Sequence, residues 1–163
     1  MEIWDLLDQE GKKTGQTIQR GKPLPEGYYH LVVHTWIVDQ DHVLVTRRAL
    51  EKPHPGMWET PGGSALSGES SREAAVREVK EEIGMELELS KLDQLTRTWH
   101  DSYVHDIWLV ERSFSVKNLV LQREEVSEAR WIKLETLDEW LGQGCLIAGL
   151  QASANEMVER AGK

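Results

Sequence analysis

The pattern of hydrophobic and polar positions changes period several times along the chain. In "YYHLVVHTWIV", Leu31, Val33 and Ile37 share one face of an extended segment, and Val32, Trp36 and Val38 share the other. Apolar positions on both faces predict a central strand covered on both sides. "DQD" predicts a turn and "HVLVTRR" the partner strand of a hairpin. Upstream, "MEIWDLLDQEGKKTGQTIQRG" predicts two short strands around a turn at "DQEGKKTG". "GKPLPEG" reads as a loop, because Pro23 and Pro25 prevent regular pairing. "ALEKPHPGMWETPGG", dense in Pro and Gly, predicts a second loop.

The period then becomes helical. Ser70 is a good N-cap with Glu73 three residues on, and Gly84 suits the position just past a helix end. The spacing predicts a helix over 71–83. At the helical repeat, Ala75, Val76, Val79 and Ile83 fall within one arc of roughly 100°, which faces the sheet. Three strand candidates follow, "ELELSKLDQLTRTW", "DIWLVERSF" and "ARWIKL", with "HDSYVHD" as a polar loop between the first two. Two helices are expected around "LETLDEWLGQG" and "LIAGLQASANEMVERA". Strands, helix, strands, helices is the order of an α/β protein, a mixed β-sheet with helices on both faces in an α/β/α sandwich. One domain over 1–163 is expected, with 1–20 as its N-terminal strand pair and 134–163 as its C-terminal helices.

Charge changes the picture in one place. The formal net charge is -9, which argues against a surface that coats nucleic acid. Yet Glu78, Glu81 and Glu82 crowd one helix, in an arc beside its apolar face. Lys80 lies on another part of the wheel and cannot neutralise Glu78 within the helix. Like charges one turn apart weaken a helix. Carboxylates left in that state suit a hard divalent cation, Mg²⁺ or Mn²⁺. The preceding "PGG", Pro61 to Gly63, lets backbone approach a ligand closely. Cys145 is the only cysteine, so no intramolecular disulfide forms and a reducing, cytoplasmic setting is expected. The N-terminus has no secretory leader pattern, and no apolar run reaches membrane-spanning length. Seven Trp against one Phe are read as core and groove packing.

Gly63, five residues, Glu69, seven residues, then Arg77-Glu78-Val79-x-Glu81-Glu82-x-Gly84-Met85 resembles the Nudix box throughout. The resemblance implies a Nudix fold and a hydrolase that uses water and a divalent metal ion to cleave a nucleoside diphosphate joined to another group. By position, Glu78, Glu81 and Glu82 look like the metal-binding carboxylates, with the carbonyl of Gly62 as a further ligand. Glu78, Glu81 and Arg77 are the catalytic candidates. Glu78 is the candidate general base, with Glu125 as an alternative outside the box. Glu69 and Arg77 look like a pair that orients loop and helix. Arg48, Lys52, Gly63 and Tyr103 are the candidate substrate contacts; strand alternation allows only one of Arg47 and Arg48 to face the site. The expected partner is a small nucleoside diphosphate-type substrate, with no nucleic acid and no membrane. A homodimer involving the N-terminal strands is expected by analogy.

The N-terminal half, through "RRALEKPHPGMW", also resembles Nudix proteins related to isopentenyl-diphosphate isomerase. Those isomerases carry a catalytic Cys after the corresponding Trp, whereas Trp58 is followed by "ETPGGS". A non-catalytic nucleotide-binding regulatory module is the third alternative.

Overall fold

The computed structural model describes residues 1–161. Its axis is a ten-residue strand, β3 (His30–Asp39), with both faces apolar as the alternation predicts. Leu31, Val33 and Ile37 enter one core, and Trp36 and Val38 a second. Helix α1 (Ser71–Ile83) covers the first core through Ala74, Ala75, Val79 and Ile83. Helices α2 (Leu137–Gly142) and α3 (Gln151–Ala161) cover the second, through Leu137, Ala154 and Met157. The layers are therefore helix, sheet, helices, as expected. Residues 162 and 163 of the expected helical tail lie outside the described residues.

The remaining strands are β1 (Ile3–Leu7), β2 (Lys13–Gln19), β4 (His42–Arg48), β5 (Trp58–Glu59), β6 (Gly62–Ser64), β7 (Asp93–Trp99), β8 (Tyr103–Glu111) and β9 (Val126–Lys133). In the main mixed sheet the order is β5-β4-β3-β8-β7, with β6 on β3 and β9 on β4. β3 and β8 run parallel, from His30↔Tyr103 to Val38↔Glu111. β1 and β2 form the expected separate hairpin. It docks beside the loop before α1: Asp5 accepts from Ser67 Oγ at 2.8 Å and Gly68 N at 2.9 Å, and Lys13 Nζ donates to Glu69 O at 2.9 Å.

The expected hairpin of β3 and β4 is closed only at its end, by Val38↔Val43 and Asp39↔His42. Beyond that the two strands part. β6 takes the edge of β3 in the register Val32↔Ser64, Val33↔Gly63 and His34↔Gly62, while β9 takes β4 from His42↔Lys133 to Arg48↔Val126. The Gly pair allows this wedge. A Cβ on Gly62 would collide with the Val33 carbonyl and the His34 ring.

Local signals set α1 well. Ser70 Oγ accepts from Glu73 N at 3.1 Å, and Gly84 takes the left-handed conformation, φ 73°. The buried surface of the helix is wider than predicted. Glu78 and Glu82 are buried together with Ala74, so the covered arc spans roughly half the helix. Three boundaries also shift. β7 begins at Asp93, after a 3₁₀ turn at Leu89–Lys91, because its partner β8 is paired no further than Leu109↔Asp93. β8 begins at Tyr103 because β3 offers it a parallel edge from His30 onward. Tyr103 and His105 are thus strand residues, not members of the expected polar loop, which shrinks to a turn closed by His100 N donating to Tyr103 O at 2.9 Å. β9 likewise starts three residues before "ARWIKL".

Candidate active site

The parting of β3 and β4 leaves a cleft of about 240 Å³ between β6 and α1. Gly62, Gly63, Glu78, Glu81, Glu82, Arg48, Lys52 and Glu125 all line it. Glu2, Glu59 and Arg20 join them, so six glutamates face three Lys or Arg side chains. An anionic substrate entering such a lining needs added positive charge.

The acids are held differently. Glu82 is 4% exposed and accepts from Gly62 N at 3.2 Å. Burial first, then the charges of Glu59 and Glu78, pushes its carboxyl well above the usual range. Glu78 lies against Gly63, where an added Cβ would stand 2.5 Å from its Oε1. Burial pushes Glu78 up to about 7, against the opposing pull of Arg77. Glu81 remains half in solvent.

The predicted set of three unpaired carboxylates is corrected here. Arg77 Nη1 donates to Glu78 Oε1 at 3.1 Å and to Glu81 Oε2 at 3.0 Å. The same guanidinium donates to Glu69 at 2.5 Å and 3.2 Å, and to Ser64 O at 3.1 Å. Position i, i+4 places Arg77 beside Glu81. Burial opposes its charge, but the Glu69 hydrogen bond and the three nearby carboxylates hold the guanidinium proton more firmly than usual. Arg77 therefore ties the loop before α1 to the helix, the orienting geometry expected of it with Glu69. Among the described residues, no three Asp, Glu, His or Cys side chains are arranged to enclose an ion. Arg77 between Glu78 and Glu81, and Gly62 N on Glu82, account for that.

Arg48 faces the cleft and Arg47 does not, as alternation requires. Arg48 Nη1 donates to Glu59 Oε2 at 2.6 Å, whereas Arg47 Nε donates to Gly56 O at 3.1 Å. Lys52 pairs with Glu125 on the cleft wall. Tyr103 is not in this cleft. It lines an adjoining hollow and stacks on His100, ring centroids 4.3 Å apart.

Sequence reasoning missed a buried polar chain. His105 Nε2 lies 2.7 Å from His34 Nδ1, and His34 Nε2 lies 3.1 Å from Glu59 Oε1. Burial pushes Glu59 up, but the His34 hydrogen bond and the charges of His34, Arg48 and Lys52 outweigh it and hold the carboxyl below its usual range. The available signal was His34 itself, a polar residue inside an apolar strand.

The box from Gly63 to Met85 sits inside residues 28–150, which match a family model described as the NUDIX domain. The chain belongs to the NUDIX family. An uncharacterized Nudix hydrolase of Listeria innocua is 37% identical over 147 residues, covering 88% of this chain and 87% of that protein. Nucleoside triphosphatase NudI of Escherichia coli is 33% identical over 93 residues, 51% of this chain and 66% of NudI. A crystal structure of a protein from Deinococcus radiodurans superposes with a TM-score of 0.78 at 21% identity, over 96% of this chain and 99% of that one, and shows the shared fold. These matches make the chain a hydrolase of the family.

Nudix hydrolases generally use divalent metal ions, and the donor set of this cleft fits one. Glu78 and Glu82 are buried acids whose neighbours leave them short of positive charge. Carboxylate oxygens are the ligands that hard divalent cations take. Gly63 without a Cβ keeps the Glu78 carboxylate against the backbone at the mouth of β6.

Proposed function

We propose that this Nudix hydrolase is a metal-dependent pyrophosphohydrolase, in which water attacks phosphorus and opens the pyrophosphate linkage of a nucleoside diphosphate derivative. The observation that carries the proposal is the buried pair Glu78 and Glu82, which burial holds protonated to unusually high pH in a cleft open to Arg48 and Lys52. Glu78, Glu82, Glu81 and the Gly62 carbonyl would hold Mg²⁺ or Mn²⁺. When bound, the ion supplies positive charge to the diphosphate and acidifies water beside it.

The chain's own residues do the rest. Arg77 holds Glu78 and Glu81 in place through its Nη1. Glu78 accepts the proton of the attacking water from its place in the cleft beside Gly63. Glu125 is the weaker candidate because Lys52 already pairs with it. Arg48 and Lys52 stand on the wall where phosphate oxygens would lie, and the Gly63 backbone approaches from β6. The similarity to NudI supports a nucleotide as substrate. The single cysteine supports a cytoplasmic setting.

The test is release of phosphate or pyrophosphate from a panel of nucleoside di- and triphosphates and nucleotide sugars with Mg²⁺. Turnover by the wild type, lost by about 10²–10⁴-fold in Glu78→Gln, is expected. Binding without turnover in either protein would indicate a regulatory module instead. Conversion of isopentenyl diphosphate without phosphate release would indicate an isomerase.

A further inference from the structure

Beside the acidic cleft lies a second hollow of about 430 Å³, within the size range of small-molecule sites. It shares Val32, His34 and Arg48 with the cleft, so the two are continuous. Met57, Leu146, Ile147 and Gly149 supply much of its remaining wall, and His105 and Tyr103 stand on the β8 side.

His105 is 2% exposed, and its Nδ1 has no hydrogen-bond partner among the described residues. Glu59 is an ionised acceptor, so His34 Nε2 carries a hydrogen and donates to it. His34 Nδ1 and His105 Nε2 are joined by the next hydrogen bond of the chain. His105 Nδ1 is the ring nitrogen left over at its end, and a buried polar atom without a partner is costly.

That nitrogen lies under Gly149. A Cβ added there would stand 3.6 Å from Nδ1, 3.5 Å from Cε1 and 3.8 Å from the Tyr103 hydroxyl, an ordinary fit. The absent side chain leaves room at the end of the hollow, beside the unpaired Nδ1.

We propose that this hollow holds the organic group attached to the diphosphate, and that this group forms a hydrogen bond with His105 Nδ1. The direction of the substrate rests on the hydrolase proposal above: diphosphate in the acidic cleft beside Arg48, organic group on His105. A nucleobase edge and a sugar hydroxyl both offer such a hydrogen-bonding partner. An isoprenoid chain offers none and leaves Nδ1 unpaired, which is how the hollow selects against it.

The experiment is an NMR titration of ¹⁵N-histidine-labelled protein with Mg²⁺, using the four nucleoside 5′-monophosphates, their 2′-deoxy forms and isopentenyl diphosphate. At least one nucleotide is expected to move the His105 Nδ1 resonance, as a new hydrogen bond there does. Isopentenyl diphosphate is expected to leave it in place. Dependence on the base assigns the bonding group to the base; loss in the 2′-deoxy form assigns it to the sugar. Gly149→Ala, which fills the gap without strain, is expected to weaken nucleotide binding at least tenfold while Mn²⁺ binding by calorimetry stays within twofold. The proposal is overturned if no nucleotide moves the resonance, or if Gly149→Ala binds every nucleotide as tightly as the wild type. Nucleotide binding at His105 without any turnover would instead remove the hydrolase proposal and leave this site standing.

Discussion

Two groups of buried carboxylates in this molecule are treated in opposite ways. Asp106, on β8, is fully buried and surrounded by donors: Ser71 Oγ at 2.6 Å, Gln94 Nε2 at 3.1 Å, and Arg97 through Nε at 2.6 Å and Nη2 at 2.8 Å. Its hydrogen bond in turn raises the Arg97 guanidinium above its usual range, against burial. That network ties β7, β8 and the first residue of α1 together. Glu78 and Glu82 sit at the other end of the helix region with far fewer donors. Glu82 accepts one side-chain hydrogen bond among the described residues, and Glu78 shares Arg77 with Glu69 and Glu81. A buried charge with its donors complete is a structural joint. A buried charge left short of them costs stability until a cation arrives, and marks a place of chemistry.

The contrast can be broken by exchanging the expected losses. Glu82→Gln is expected to lower kcat by about 10²–10⁴-fold, while the metal-free protein melts no lower than wild type. Steady-state hydrolysis with Mg²⁺ and a thermal melt check this; activity within threefold of wild type would refute it. Asp106→Ala is expected to do the reverse. Removing one partner of a buried pair costs about 3–5 kcal/mol, read by urea unfolding, whereas turnover per folded molecule stays close to wild type. An Asp106→Ala protein that is stable but inactive would reverse the two roles.

pH sharpens the same comparison. Glu78 titrates at about 7 in the fold against an ordinary value of 4.5. Between those values the folded chain keeps a proton that the unfolded chain releases. Metal-free stability therefore falls as pH rises from 4.5 to about 7, by about 3 kcal/mol. A cation that replaces the proton should raise the melting temperature more at pH 8 than at pH 6. Equal Mg²⁺-induced shifts at the two pH values would mean that Glu78 is not a ligand. Gly63→Ala is a subtler probe. Its Cβ would stand 2.5 Å from Glu78 Oε1, the free end of a flexible side chain. The fold can yield there, so the melting temperature should barely change while metal affinity falls about 10- to 100-fold. Calorimetry with Mn²⁺ reads the loss, and unchanged affinity would show that the Glu78 position does not matter.

Much of the helix side of the site was legible beforehand. The cap at Ser70, the left-handed Gly84 and the apolar stripe through Val79 and Ile83 are properties of consecutive residues, so local sequence was enough. The Gly-rich approach was readable for the same reason; alternation allowed only one of Arg47 and Arg48 to face the site, and the fold decided that it is Arg48. Glu59, His34 and His105 were not. They stand 25 and 71 residues apart along the chain and meet only because β6 wedges β3 away from β4 and β8 lies parallel to β3. Where Tyr103 would contact a substrate was not legible for a related reason: strand pairing with His30 sets it in the hollow and not in the acidic cleft.

By itself, the amino-acid order determined the family, most of the elements and the residues on one face of α1, because periodicity, capping and motif spacing act over a few turns of chain; the short strands β5 and β6, inside a segment that reads as a loop, needed their sheet partners. Only the tertiary structure decided how charge is shared. Arg77 divides its donors among three carboxylates, Asp106 collects four hydrogen bonds, and His105 is left with an unpaired nitrogen beneath Gly149. Burial and hydrogen-bond partners come from segments distant in sequence, and they set the energy of each buried polar group.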